Sequence, residues 1–267
     1  MSIVADSLSK APVQALRGGV FKPRTSPYAF QGMGEEGLEI LAKVSTSSGL
    51  PVITEVMSAE QIEAAEPYAD VLQIGSRNMQ NFELLKAVGR ASKPVLLKRG
   101  LSATIEEFVL AAEYVMAHGN AQVILCERGI RSFDSYTRNV LDLGAVVALK
   151  QLSHLPVLVD PSHACGKREL VPDLARAAVA CGADGLLIEC HPHPEKSISD
   201  ARQTISLPTM IDLVKSLRPI AAAVGRRVED PDNIKLARAD LSLSDQGALA
   251  APGANPSSLR EAFIAGR

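Results

Sequence analysis

The stretch Val95-Leu-Leu-Lys98-Arg99-Gly-Leu-Ser-Ala-Thr104-Ile-Glu-Glu107 reads as one complete passage from a buried strand into a helix. Residues 95–97 are apolar without alternation, the pattern of a short strand covered on both faces. Lys98 and Arg99 end the run. Thr104 and Glu107 have capping-box spacing, in which a hydroxyl and a carboxylate satisfy orphan backbone donors at a helix start. The same order recurs outward in both directions. Apolar runs lie at 13–16, 51–54, 71–74, 123–125, 157–159 and 186–188. Ser58-Ala-Glu-Gln61 has the spacing of a second capping box, and residues 170–181 carry apolar positions at helical intervals before Gly182. Strand–helix alternation of this kind predicts an α/β fold with a parallel sheet, either open or closed as a barrel, and the polar residues that end the runs favour the (β/α)8 barrel. Seven runs are found where such a barrel has eight strands, so the expected barrel is one strand short. Residues 1–226 are expected to form it. Residues 227–267 turn polar and rich in Pro, Ala and Ser, and read as an extension that is a tail, an added helix or a covering segment.

Bulk composition narrows the function classes. The 267 residues are 46% hydrophobic and 22% charged, ordinary for a globular chain. Aromatics are 4% and Trp is absent, which leaves little for stacking nucleic-acid bases. A net charge of −2 gives no general attraction to nucleic acid or to anionic membranes, so an anionic ligand needs a local basic cluster. No run approaches the roughly 18 apolar residues of a membrane span, and no signal-peptide pattern opens the chain. The four cysteines have no C-x-x-C spacing. A cytoplasmic location, with no nucleic-acid or membrane partner, is the expectation.

The residues just after each strand run carry more information than the runs. These ends are Arg17, Glu55, Gly75-Ser76-Arg77, Lys98-Arg99, Glu127-Arg128, Asp160-Pro-Ser-His163 and Glu189-Cys190-His191. In a parallel barrel they converge on one face, and catalytic residues come from several of them. Loops are polar in any protein. That alone accounts poorly for Arg or Lys at four of seven ends in a near-neutral chain.

Three constellations stand out. Arg17-Gly-Gly-Val-Phe-Lys22-Pro23-Arg24-Thr25-Ser26-Pro27 offers cationic and hydroxyl donors in a loop stiffened by two prolines, which suits a phosphate monoester; the competing reading is an exposed basic turn. Arg77, Lys98, Arg99, Arg128 and Arg131 form a scattered basic set able to neutralise phosphates and a carboxylate, unless they are solvated surface charges. Asp160, His163, Glu189, His191, His193 and Asp200 supply nitrogen and carboxylate ligands suited to a divalent first-row metal. Cys165 and Cys190 lie near that set as soft ligands or as small core residues, whereas Cys126 and Cys181 read as core.

These motifs together resemble the type I DAHP (3-deoxy-7-phosphoheptulonate) synthases, of the branch related to KDO8P (3-deoxy-octulosonate-8-phosphate) synthase. The markers are Leu-Arg-Gly-Gly-Val-Phe-Lys-Pro-Arg-Thr-Ser-Pro-Tyr at 16–28, Gln-Ile-Gly-Ser-Arg-Asn at 73–78, Leu-Leu-Lys-Arg-Gly at 96–100, Ile-Leu-Cys-Glu-Arg-Gly-Ile-Arg at 124–131, Val-Asp-Pro-Ser-His at 159–163, and Ile-Glu-Cys-His-Pro with Ser-Asp at 188–192 and 199–200. They span about 16 to 224. The resemblance implies condensation of phosphoenolpyruvate with erythrose 4-phosphate, opening the shikimate route to aromatic amino acids. It implies that Arg77, Lys98 and Arg128 hold phosphoenolpyruvate, that Lys22 lies between the two substrates, and that Arg24 and Thr25 take the aldose phosphate. Arg17, Pro23, Ser26, Ser76 and Asp200 complete the implied substrate-binding set. His163, Glu189 and Asp200 match three ligands of a divalent metal such as Mn²⁺, and Lys22 and His163 are the implied catalytic residues. Homo-oligomerisation is implied as well.

The chain departs from the family at one place. Members carry an earlier strand ending in an Ala-Gly-Pro-Cys-type motif whose Cys is a fourth metal ligand, and no Gly-Pro-Cys occurs here. Residues 1–14 read as the helix leading into the second family strand. The expected barrel therefore lacks the first family strand, and Cys165, Cys190 or no residue stands in for the thiolate. The rival readings are a synthase using another aldose phosphate, a Schiff-base aldolase acting through Lys22 or Lys98, and a non-catalytic relative that binds a phosphorylated ligand.

Overall fold

Seven parallel strands hydrogen-bond in chain order into one sheet. They are β1 (Leu16–Arg17), β2 (Val52–Glu55), β3 (Val71–Ile74), β4 (Val95–Lys98), β5 (Val123–Glu127), β6 (Val157–Val159) and β7 (Gly185–Leu186). A second small sheet pairs β8 (Cys190–His191) with β9 (Ile205–Ser206). The helices are α1 (Ser2–Leu8), α2 (Glu35–Ser48), α3 (Ala59–Ala65), α4 (Phe82–Val88), α5 (Ile105–Met116), α6 (Leu143–Leu152), α7 (Pro161–Cys165), α8 (Val171–Ala180) and α9 (Leu207–Ala223). This computed structural model describes residues 1–229 apart from Lys10 and Thr25, so most of the expected 227–267 extension lies outside the described residues. Among the described residues no helix is long and apolar enough to cross a membrane.

The strands form where unbroken apolar runs are covered twice. Leu72, Leu97 and Leu125 are fully buried, with Phe108 of α5 packed in the same core. All seven strands run the same way, as a sheet covered by helices requires. Among the described residues β1 and β7 each pair on one side only, so the sheet is a (β/α)8 barrel lacking a strand.

Both ends of the sheet differ from the run-based expectation. β1 begins at Leu16 instead of 13, because the ladder to β2 starts with Leu16 N donating to Pro51 O (2.8 Å), while Val13 N turns back onto Ala11 O. β7 covers 185–186 instead of 186–188. Leu187 N still reaches Val159 O (2.9 Å), but Glu189 N donates to the Ser162 hydroxyl (3.1 Å), and the chain leaves the sheet to form β8.

The opening between β1 and β7 is bridged outside the sheet. Helix α1 packs on α2 and α9. After α9, Arg226 donates to Gly182 O (2.6 Å) and ion-pairs with Asp184 at the foot of β7. Gln14 then donates to Glu229 O (2.8 Å) at the foot of β1. A cavity of about 1460 Å³ fills the opening, with Leu16, Ile53, Leu158 and Leu186 on its apolar wall and Lys22, His163 and Glu189 at its polar end.

The expected caps are present in unequal form. Thr104 and Glu107 make the full reciprocal box at the start of α5. Ser58 accepts from Gln61 N at the start of α3, but the Gln61 side chain accepts from Met57 N one residue earlier (2.9 Å), so only half of that box forms. Thr104→Ala should therefore lower the unfolding free energy by about 1 kcal/mol. Phe108→Ala, which removes a fully buried ring, should lower it by about 3–5 kcal/mol. Urea unfolding followed by circular dichroism measures both, and equal losses would contradict this ranking.

Candidate active site

Parallel register brings the strand ends into one layer. Glu55 pairs with Gln73, Lys98 with Cys126, and Glu127 with Val159. The side chains that close β1 through β6 therefore emerge at the same rim.

Asp160 is the centre of this layer. It caps α7, with Pro161 in the first turn, where the missing N–H costs nothing. Its Oδ1 accepts from His163 N (2.9 Å), and its Oδ2 contacts His163 Nδ1 (2.7 Å) and the Lys98 ammonium. Burial alone would raise the pKa of this fully enclosed carboxyl. The electrostatic influence of His163 and the Lys98 ammonium, with the hydrogen bonds from His163, outweighs it and holds Asp160 well below the usual carboxylate range.

Three ligand-type side chains converge beside it. Ligand atoms of His163, Glu189 and Asp200 all lie within 4.8 Å of one another. Because Asp160 holds Nδ1, His163 turns Nε2 toward Glu189 Oε1, 3.5 Å away. A histidine oriented through its other nitrogen by a carboxylate is the usual support of a metal-ligating imidazole. One nitrogen and two carboxylates fit a divalent cation such as Mn²⁺. Asp200 holds a left-handed backbone (φ 57°), uncommon outside glycine. Neither cysteine near the set joins a three-ligand group among the described residues. Cys165 donates to Lys167 O (3.2 Å), and burial pushes the Cys190 thiol up to about 11. His191 is engaged by the backbone of His193, and both stand outside the cluster.

The basic loop lies against this cluster. Lys22 N bonds Gln31 O (2.9 Å), and Gly34 N bonds Val20 O (3.0 Å), which folds residues 20–34 back on themselves. Gly32 sits at φ 103°, where a Cβ would meet Val20 O at 2.0 Å, so glycine is required there. The Lys22 ammonium donates to the Ser199 hydroxyl (3.0 Å). Burial lowers its pKa, Arg17 and Arg24 push the same way, and Glu189 and Asp200 oppose them. Arg24 donates to Phe30 O (3.1 Å) and reaches Asp200 at 3.9 Å. Pro23 is half-buried beside it, Ser26 is exposed, and Thr25 lies outside the described residues. Arg17 ion-pairs with Glu55 (2.9 Å), which also accepts from Gln73 (3.0 Å).

The scattered basic set divides. Arg99 is buried and paired, its Nη1 with Glu127 (2.9 Å) and Asp142 (3.0 Å) and its Nε donating to Ala103 O. It holds β4 to β5 and α6. Arg128 is buried to the same degree, yet its Nε and Nη1 have no partner. Burial pushes its pKa down, with Asp160 opposing and Arg138 adding to the effect. Arg77 is exposed on a 3₁₀ turn begun by Ser76, and Arg131 is exposed in the loop after β5. The structure thus joins Lys22, Arg17, Arg24, His163, Glu189 and Asp200, and links Lys98 to them through Asp160. Ser76 and Arg77 have no hydrogen bond or ion pair to that set among the described residues. Glu55, Gln73, Arg138 and Gln203 also touch the site. The first two lie in strand runs or at their ends and were open to the strand-end reading, whereas Arg138 and Gln203 lie in loops with no such signal.

The family model described as "DAHP synthetase I family" matches residues 1–223. A Thermotoga maritima protein named phospho-2-dehydro-3-deoxyheptonate aldolase is 51% identical over 224 residues, covering 84% of this chain. The chain spans 66% of that relative's length, just under two thirds. An Acidithiobacillus ferrooxidans protein named 2-dehydro-3-deoxyphosphooctonate aldolase is 36% identical over 222 residues, covering 79% of this chain and 78% of its own. The crystal structure of the Thermotoga maritima DAHP synthase superposes with a TM-score of 0.82 at 48% identity, over 85% of this chain and 66% of that one. A truncated form of the Thermotoga maritima 3-deoxy-D-arabino-heptulosonate 7-phosphate synthase gives 0.79 at 46% identity, over 85% and 83%.

The unpartnered nitrogens of Arg128 generate a prediction. A buried unsatisfied donor costs about 1–3 kcal/mol. Arg128→Met should therefore raise the melting temperature in buffer free of multivalent anions. It should also abolish any further rise that an added multivalent anion gives the parent protein. Melting curves with and without that anion check both signs, and a variant still stabilised by the anion would remove Arg128 from the site.

Proposed function

This chain belongs to the DAHP synthetase I family, and from that premise we propose that it condenses phosphoenolpyruvate with erythrose 4-phosphate to give DAHP and inorganic phosphate, opening the route to aromatic amino acids. The observation that carries the reading is the pairing of unlike groups at one rim. Lys22 lies beside Glu189 and Asp200 with Arg17 and Arg24 as its neighbours, and Lys98 and Arg128 lie beside Asp160, the carboxylate that holds His163. Two phosphorylated substrates and one polarised carbonyl call for two anion sites around one electrophilic centre.

His163, Glu189 and Asp200 would hold the divalent cation, and when bound it supplies Lewis-acid polarisation of the aldehyde. The rest falls to the chain's own residues. Arg77, Lys98 and Arg128 bind the phosphate and carboxylate of phosphoenolpyruvate, with Ser76 at the same strand end. Arg24, Thr25 and Ser26 take the aldose phosphate, on a loop stiffened by Pro23. Carbon 3 of phosphoenolpyruvate bonds to the aldehyde carbon. The aldehyde oxygen takes a proton from the Lys22 ammonium and becomes a hydroxyl. Water then adds at carbon 2 and gives up one proton, which restores the Lys22 ammonium; the carbon–oxygen bond to phosphate breaks, the remaining hydroxyl proton leaves with inorganic phosphate, and the ketone is left. Burial supports Lys22 in that role, since a lowered pKa makes its ammonium a stronger acid.

A second reading, an arabinose 5-phosphate substrate, draws support from the 36% identical 2-dehydro-3-deoxyphosphooctonate aldolase. The Lys22-Pro-Arg-Thr-Ser26 loop favours erythrose 4-phosphate. Phosphate release from phosphoenolpyruvate with Mn²⁺ and either aldose separates the two. Faster turnover with arabinose 5-phosphate would overturn the first, and intact phosphoenolpyruvate binding with no turnover on either would favour a non-catalytic binder. Lys22→Met should cut kcat by about 10²–10⁴. The proton-donor role also fixes a sign with pH. The ammonium is the active form, so kcat should fall as pH rises, with a midpoint below the ordinary lysine value of 10.5. Lys22→Arg should remove that alkaline limb, and a limb that persists would exclude Lys22 as the donor.

A further inference from the structure

We infer that Gln203 and Arg138 form a positioning pair that decides which oxygen Glu189 and Asp200 each turn toward a divalent cation; the inference rests on the metal-centred reading of the site. Gln203 is 2% exposed. Its Nε2 donates to Glu189 Oε2 at 2.6 Å, and its Oε1 accepts from Arg138 Nη1 at 3.2 Å. The same Nη1 donates to Asp200 Oδ1 at 3.3 Å. One guanidinium nitrogen thus reaches both carboxylates, the first through an amide and the second directly.

The chemistry of the chain of contacts fixes its direction. A carboxylate only accepts and a guanidinium only donates, so the amide between them has a single orientation that satisfies both. With Oε2 engaged, Glu189 leaves Oε1 facing His163 Nε2. With Oδ1 engaged, Asp200 leaves Oδ2 on the side of Arg24. Gln203 also acts through its backbone. Its N–H donates to Asp200 O (3.1 Å), and the Thr204 hydroxyl donates to the same oxygen (2.9 Å), which holds Asp200 in its left-handed conformation.

Arg138 is tied to the third ligand as well. Its N–H donates to Cys165 O (3.0 Å), and Asn139 donates from its backbone to Ala164 O (2.8 Å) and from its side chain to His163 O (3.1 Å). The loop after β5 is thereby fastened along α7, the helix that carries His163. A leucine at 203 would leave Glu189 Oε2 and the Arg138 nitrogen facing an apolar side chain, and Glu189 would be free to rotate.

The test is Mn²⁺ binding by the metal-stripped 267-residue chain, with free Mn²⁺ read by electron paramagnetic resonance. Loss of an outer partner typically weakens metal affinity about 10–100-fold, and Gln203→Leu should do so. Arg138→Gln should weaken it in the same direction. The double variant should lose less than the sum of the two single losses, since Arg138 reaches Glu189 only through Gln203, while its direct bond to Asp200 adds a loss of its own. Melting curves without metal establish that each variant is folded. Unchanged Mn²⁺ affinity in either folded single variant, or strictly additive losses, would overturn the pairing while leaving the metal reading intact. If Gln203→Leu does not fold, Arg138→Gln decides alone, its guanidinium being partly exposed. A parent chain that binds phosphoenolpyruvate but no Mn²⁺ would overturn the metal reading and the pairing together.

Discussion

A charged carboxylate with no solvent exposure, Asp160, is the constraint on which the rim depends. An ion in such surroundings persists only when it is paired and hydrogen-bonded. Asp160 meets that condition from two elements at once, β4 through Lys98 and α7 through His163. Each partner is held as a result. Lys98 cannot leave without stranding the carboxylate, and the His163 ring cannot turn without losing its Nδ1 contact. The direction in which Nε2 faces Glu189 is set by the buried Asp160 contact to the other ring nitrogen. Much of what reads as catalytic geometry here is the enforced neutralisation of one interior charge.

That layer was legible in the sequence because β-structure makes side-chain position local. Apolar runs such as 95–97 and 123–125 became β4 and β5 almost to the residue, and the residues after them reached one face because every strand is parallel. The reading failed where tertiary pairing sets the limits. Residues 13–15 are apolar enough for a strand, yet nothing on β2 receives them before Leu16. Residues 187–188 are equally apolar, but Ser162 draws the next backbone N–H away. No local pattern records which partner is missing.

The loop residues were illegible for a related reason. Arg138 and Gln203 meet across 65 positions of chain, after different strands, and neither comes directly after an apolar run. Their importance comes from what they touch. His191 and His193 show the converse: composition pointed to them as ligands beside His163, yet the turn after β8 engages one with the backbone of the other. Residue type names candidates, and only the path of the chain selects among them.

Selection between structural and ligand-binding cations rests on hydrogen-bond accounting. Arg99 and Arg128 come from successive strand ends and are each 4% exposed. Composition, charge and burial cannot tell them apart. Arg99 has two carboxylates and a carbonyl around its guanidinium, whereas two nitrogens of Arg128 have no partner. The buried side-chain atoms without partners among the described residues belong to Arg17, Gln73 and Arg128, all in the strand-end layer. Proteins pair nearly all such atoms, because each unmade bond costs about as much as a substantial mutation. Orphans spread through a core would mark poor packing. The orphans are confined to one rim; those of Arg17 and Arg128 are donors, as the proposed anion site needs, whereas that of Gln73 is an acceptor. The same accounting separates the two halves of the functional reading. In the proposed function, anion recognition would rest on donors that the fold leaves unpaired, and metal binding on side chains that it has already oriented.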